Sequence, residues 1–204
     1  MNTGKLYIIS APSGAGKTSL VKQMAADLDD LLVSVSHTTR QQRPGEIHGK
    51  DYYFVSEEEF QAMLAQQDFL EYAQVFDHYY GTARQTVTEN LNAGSDVILE
   101  IDWQGARQIR KKMPECLSIF ILPPSTAVLE QRLRKRGQDS ELIISRRMQD
   151  AVAEMQHNDE YDYLLVNDDF DQALMQLKSI VISERLKKTR QKPALAALLA
   201  ELLS

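Results

Sequence analysis

The chain alternates between short unbroken apolar runs and longer stretches in which apolar residues return every three or four positions. Leu6–Ile9 is the first run and ends at a Gly-rich turn, so it predicts a buried strand. Beyond the turn, Leu20, Val21 and Met24 recur at helical spacing from Lys17 onward. Further buried strands are predicted at Val97–Asp102, Ser118–Pro124 and Tyr163–Asp168. Helical segments lie between or after them, at Gln104–Lys112, Thr126–Arg136, Glu141–His157 and Asp171–Leu186. Strands that alternate with helices predict an α/β fold, with a parallel sheet flanked by helices.

The block from about Ser34 to Asn92 breaks that alternation. "DYYFVSEEEFQAML" reads as a strand and then a helix opened by a capping box, Ser56 with Glu59 three residues on. "FLEYAQVF" and "HYYGT" follow, rich in aromatics and β-formers. The block predicts a small α+β insertion after the first core helix. A second insertion is predicted at "RLRKRGQDSELIISRRM", which is strongly basic within an acidic chain. The tail "KPALAALLAELLS" puts Leu195, Leu198, Leu199, Leu202 and Leu203 on one helical face. Two readings of that face stand open: a helix packed on its own core, or a subunit contact that makes a homo-oligomer.

Composition narrows the class. With 204 residues, 43% apolar and 25% charged, the chain suits one soluble globular domain with a full core. A net charge of −6 excludes a broad basic surface, so no nucleic-acid partner is expected and any cationic site must be local. The first apolar run is too short for a signal peptide and no run approaches a membrane span, so no membrane partner is expected. The single cysteine, Cys116, rules out an intramolecular disulfide and fits a reducing, cytoplasmic setting as a small buried or half-buried side chain. His37, His48, His78 and His157 lack metal-ligand spacing and read as surface or packing residues.

The turn after the first strand runs Ala11-Pro12-Ser13-Gly14-Ala15-Gly16-Lys17-Thr18. It matches the phosphate-binding pattern G-x-x-x-x-G-K-[ST] except that Ala11 replaces the first glycine. Strand before and helix after is the context the pattern requires. Backbone N–H groups of such a turn make an anion nest, and the helix N-terminus adds to it. Gly14 and Gly16 let the backbone approach phosphate, Lys17 reaches the β and γ phosphates, and Thr18 faces Mg²⁺. These roles do not require glycine at position 11, where the chain leaves the strand. A small residue with negative φ serves there. The bland alternative is a Gly-rich turn carrying a solvated lysine.

Arg40 and Arg43 follow a Ser/Thr run, and their guanidinium forks suit phosphate. The ordered set Ser36, Arg40, Arg43, Tyr52, Glu71 and Tyr80-Gly81-Thr82 is too specific for a solvated basic loop. With "SAPSGAGKTS", "SVSHTTRQQRPGEIHGKDYYFV", "FLEYAQVFDHYYGT", "ILEIDWQGA", "FILPPS", "RLRKRGQDS" and "YDYLLVNDDF" in family order, the chain resembles the guanylate kinases, especially the bacterial enzymes. The resemblance covers about residues 4–186 and leaves 187–204 as a helical tail.

The resemblance implies a P-loop NTPase-type core (4–33, 93–125 and 158–186), a GMP-binding part (34–92) and a lid (about 126–157). It implies transfer from ATP to GMP with Mg²⁺, giving ADP and GDP, so ATP and GMP are the implied partners. By position, Arg40, Arg43, Tyr52 and Tyr80 would hold the GMP phosphate, and Ser36, Glu71, Thr82 and Asp102 would read guanine. Arg136 and Arg147 of the lid, with Arg132 beside them, would reach the transferring phosphates. Asn167 would lie near adenine. The catalytic charges would be Lys17, Arg40, Arg136 and Arg147, with no nucleophile and no dedicated general base, because phosphoryl transfer needs positioning and charge neutralisation. Guanine's N1–H and N2 amine suit a carboxylate such as Glu71, and its O6 suits the hydroxyls of Ser36 and Thr82. Adenine offers the wrong groups to all three. Asp102 also suits a helix N-cap.

The chain departs from the family pattern at Ala11, at Gln42 where many relatives have proline, and at Thr82 where some have serine. None removes a reacting group, but Gln42 threatens to loosen the loop bearing Arg43. Two rivals remain, a phosphopeptide-binding module of the same fold and a kinase for another acceptor. Lys17, Arg136 and Arg147 speak against the first, and the intact guanine-reading set speaks against the second.

Overall fold

The computed structural model describes residues 3–75, 77–135 and 141–204. In chain order its elements begin with β1 (Leu6–Ser10), α1 (Lys17–Asp27), β2 (Leu31–Val33), β3 (His37–Thr38), β4 (Tyr53–Phe54) and α2 (Glu57–Ala65). They continue with β5 (Phe69–Val75), β6 (His78–Ala83), α3 (Arg84–Asn92), β7 (Asp96–Glu100), α4 (Trp103–Lys112) and β8 (Leu117–Leu122). They finish with α5 (Thr126–Lys135), α6 (Glu141–Met155), β9 (Tyr163–Val166), α7 (Phe170–Arg185), α8 (Lys188–Ala194) and α9 (Ala196–Leu202).

Among the described residues the larger sheet has the order β2-β7-β1-β8-β9, with every neighbouring pair parallel. A parallel sheet is covered on both faces, which is why its strands read as unbroken apolar runs. Alternate residues of β1 serve opposite faces. Tyr7 and Ile9 pack with Leu20, Val21 and Met24 of α1 and with Leu177 and Val181 of α7. Leu6 and Ile8 pack with Val87 and Leu91 of α3 and with Ala106 and Ile109 of α4. The C-terminal ends of β1 and β7 open side by side, where ligands bind in sheets of this kind.

The smaller sheet, order β4-β3-β6-β5, belongs to the predicted insertion. Phe60 of α2 stacks on Phe69 and Tyr79, with ring centroids 4.4 and 5.4 Å away. The capping box is present as predicted: Ser56 accepts from the Glu59 N–H, and the Glu59 side chain accepts from the Ser56 N–H. Gln108 of α4 exchanges hydrogen bonds with the Tyr72 backbone, which ties β5 to the core.

Several predicted boundaries shift. β7 begins at Asp96 and ends at Glu100, and α6 ends at Met155, two residues before His157. β2, only three residues long, carries no periodicity and was not foreseen. The predicted helix to Arg136 reaches Lys135, and Arg136 lies outside the described residues. The tail corrects the expectation of one helix: it breaks at Leu195 into α8 and α9. Its root is fixed, because buried Asp96 accepts from Arg185 and Arg190 at 2.8 Å each. Its leucines are not packed on the core: Leu202 and Leu203 are 69% and 83% exposed. His37 and His157 do pack, stacked on Tyr53 and Trp103.

Candidate active site

β1 delivers the chain into Ala11–Thr18, and α1 starts at Lys17. Gly14 and Gly16 hold φ of +95° and +94°, a region that L side chains rarely adopt. A Cβ on Gly16 would also fall 2.3 Å from Asn167 Nδ2. Asn167 Nδ2 donates to the Ala15 carbonyl at 2.7 Å. Arg132 donates to the same carbonyl at 3.5 Å and to the Asn167 carbonyl at 3.0 Å. Asn167 and Arg132 therefore meet the loop from behind, and neither lines the cavity before it. Among described residues other than glycine, only Asp30 and Gln67 have positive φ, so Ala11 uses none of glycine's freedom.

That cavity, about 270 Å³, joins the loop to the insertion. Pro12, Ser13, Gly14, Gly16, Lys17 and Thr18 line one end, and Ser36, Tyr52, Glu71 and Tyr80 line the other. Glu71 faces Thr82 across the β5–β6 pair and is 3% exposed. Thr82 Oγ1 donates to Glu71 Oε1 at 2.5 Å, and Ser36 Oγ lies 3.5 Å from Thr82 Oγ1. Burial pushes the Glu71 carboxyl up to about 7; the Thr82 bond opposes this and the Asp102 charge adds to it. Asp102 is a helix N-cap, one of the two readings the sequence left open. It caps α4, Oδ1 accepting from the Gly105 N–H at 2.9 Å, and it lines the cavity. Burial raises its carboxyl as well, against the pull of the Gly105 N–H and Lys17.

Arg40, Arg43, Tyr52 and Tyr80 converge on an adjoining recess with Ser36 and Lys17. The Arg40 guanidinium lies 5.4 Å from the Tyr52 ring centroid, and the Tyr52 and Tyr80 rings meet edge to face at 5.9 Å. Gln42 does not leave its loop slack: its side-chain amide donates to the Glu46 carbonyl. Arg147 is half-buried on α6, outside the cavity lining described above.

Two charged cavity residues escaped the sequence reading. Glu100, at the end of β7, accepts from Thr18 Oγ1 at 3.0 Å. Its position at a strand's C-terminal end beside the loop was the available signal. Glu154 of α6 lines the cavity together with the loop residues. Burial pushes that carboxyl up to about 7, against the charge of Lys17. Helical spacing alone gave no sign of it.

A Gly-rich loop of the phosphate-binding pattern between a buried parallel strand and a helix, facing a recess lined by Arg40, Arg43, Tyr52 and Tyr80, defines the architecture of a P-loop protein. The guanylate kinase family model matches residues 3–184. The chain is 63% identical to the guanylate kinase of Methylococcus capsulatus over 203 residues, covering all of both chains. It is 58% identical to that of Escherichia coli K12 over 206 residues, again covering all of both. It is similar to the crystal structure of guanylate kinase from Anaplasma phagocytophilum at a TM-score of 0.78 and 34% identity, covering 93% of this chain and 90% of that one. The chain belongs to the guanylate kinase family.

Proposed function

We propose that the protein transfers the γ-phosphoryl group of ATP to GMP, giving ADP and GDP. One observation carries the reading: a single cavity runs from Lys17 and Thr18 to Glu71 and Ser36. ATP phosphates enter the nest of Ser13–Thr18, with Lys17 at the transferring group. GMP lies with its phosphate among Arg40, Arg43, Tyr52 and Tyr80 and its base on Glu71, Thr82 and Ser36, near Asp102. In-line transfer then needs only that the two ligands share the cavity, with Lys17, Arg40 and the lid residues Arg136 and Arg147 neutralising charge. Arg132 and Asn167 serve ATP by fixing the loop from behind. In this reading the chain divides into a core, a GMP-binding part (34–92) and a lid (about 126–157).

Mg²⁺ is part of the proposal, and the donor set suits it. Thr18 Oγ1 and Glu100 Oε2, 3.0 Å apart beside the nest, are hard oxygens. Among the described residues no group of three His, Cys, Asp or Glu side chains could hold a metal. The ion would therefore be shared with substrate phosphates, whose charge it would neutralise.

No helix among the described residues is long and apolar enough to cross a membrane. We place the protein in the cytoplasm, with its nucleotide substrates. The exposed leucines of α9 suit contact with a second copy.

The test is ADP release with Mg²⁺–ATP and GMP, AMP, CMP or UMP offered separately. Strong turnover with GMP alone is the expected result. No turnover with any acceptor, or equal turnover with AMP, would overturn the proposal.

A further inference from the structure

The segment Arg43-Pro44-Gly45-Glu46 folds back on itself. The Glu46 N–H donates to the Arg43 carbonyl at 3.1 Å, and Gly45 has φ of +89°. Proline then glycine at the two central positions, with positive φ at the second, is a type II turn. The turn returns the Glu46 side chain over the start of its own loop. There Glu46 Oε2 accepts from the Arg43 N–H at 2.8 Å. The same carboxylate takes the Arg40 guanidinium with both oxygens, Nη2 to Oε1 at 2.8 Å and Nη1 to Oε2 at 3.1 Å. Burial alone would push the Glu46 carboxyl up, but the Arg40 and Arg43 bonds outweigh it and hold it below its ordinary value.

Donor accounting shows what this leaves. A guanidinium has five N–H groups. Glu46 takes one from each terminal nitrogen, and the Gln41 carbonyl takes the second from Nη1 at 2.7 Å. Nε–H and the second Nη2 hydrogen remain, side by side on one edge. Tyr80 lines the same recess as that guanidinium, and the Tyr52 ring holds it from the side. A fork of two parallel N–H groups is the shape that takes a phosphate.

We propose that Glu46 is a positioning residue for the acceptor phosphate: it grips the far end of Arg40 so that the remaining fork faces the recess shared with Arg43, Tyr52 and Tyr80. It touches no substrate itself. The inference rests on reading the recess as the GMP phosphate site. A carboxylate is needed because it alone accepts twice from Arg40 while also capping the Arg43 N–H. Glutamine offers one oxygen and an NH₂ that would face the guanidinium. Without the grip, Arg40 samples other rotamers, and the fork must be ordered at the cost of binding.

The test compares GMP and guanosine, which share the base and differ in the phosphate. Dissociation constants for both are measured by calorimetry or competition on the wild-type protein and on Glu46→Gln. GMP affinity is expected to fall about tenfold, in line with the loss of a supporting partner, while guanosine affinity stays the same. The GMP-to-guanosine preference thus narrows by the same factor. Glu46→Asp, too short to span both contacts, should fall between the two.

Equal weakening of both ligands would mean that the loop had simply lost its shape, and would overturn the proposal. Unchanged GMP affinity would overturn it too. Wild-type protein that does not prefer GMP to guanosine would overturn the reading of the recess as a phosphate site, and this inference with it.

Discussion

In its proposed guanine-reading role, Glu71 links base recognition to pH. Its carboxyl ordinarily titrates at 4.5 and is pushed up to about 7 by burial, with Asp102 raising it and Thr82 and Lys112 lowering it. Between those values the folded protein holds a proton that the unfolded chain has released. Stability therefore falls as pH rises through that window, and the full penalty applies above it. Glu154, also pushed up to about 7 by burial, adds a contribution of the same sign. Reading guanine has the opposite demand, because only the ionised carboxylate accepts from two donors. GMP affinity is expected to rise as pH rises through about 7 while the melting temperature of the free protein falls. Glu71→Gln should flatten part of both trends, weaken GMP and narrow its preference over AMP. Thermal melts and GMP titrations from about pH 5 to about pH 8 provide the check. A variant with unchanged GMP discrimination would remove Glu71 from the base site.

At the scale of elements, α4 matters more to the acceptor site than its sequence suggests. Its first turn is held by the Asp102 cap, and that turn brings Gly105 against the β5 strand. A Cβ on Gly105 would fall 2.4 Å from Glu71 Oε2. Alanine is the better helix former by about 1 kcal/mol, so local preference favours the substitution and the site forbids it. Gly105→Ala should raise the KM for GMP by about tenfold or more, through displacement of Glu71. The KM for ATP should stay unchanged, since the phosphate loop lies on a different strand. Steady-state kinetics with each substrate varied would detect this; equal effects on both would show general unfolding instead.

Nothing in "DWQGARQ" announced that contact, because it joins residues 34 positions apart through the tertiary fold. The parallel strands and the capping box were legible, since periodicity and local capping chemistry carry them. β2 was not, because three residues show no period. The loop, Arg40, Arg43, Ser36 and Glu71 stood out as motifs, and the fold brings them to one cavity and its adjoining recess. Glu46, Glu100 and Glu154 were not, because a carboxylate in a turn, at a strand end or on a helix reads as a solvated charge until its partners are placed.

Across the whole molecule, an acidic chain of net charge −6 must bind two polyanions. The long-range field does not help, so cationic groups and backbone N–H donors are concentrated at one seam. That seam lies between the sheet's C-terminal edge and the smaller sheet, and Lys17 sits where the two halves meet, lining both the main cavity and the arginine recess. A charge in that position interacts with the bound phosphates and more strongly still when negative charge shifts between the ligands. Lys17→Ala should therefore lower kcat by about 10²-fold or more. The KM for GMP should change by less than about threefold, because Arg40, Arg43 and Glu71 are untouched. Stabilisation of the variant by GMP in thermal melts should persist, as linkage requires of a site that still binds. A variant that lost GMP stabilisation along with turnover would mean that Lys17 builds the acceptor site. The two halves of the cavity would then fold as one binding unit instead of meeting through a shared charge.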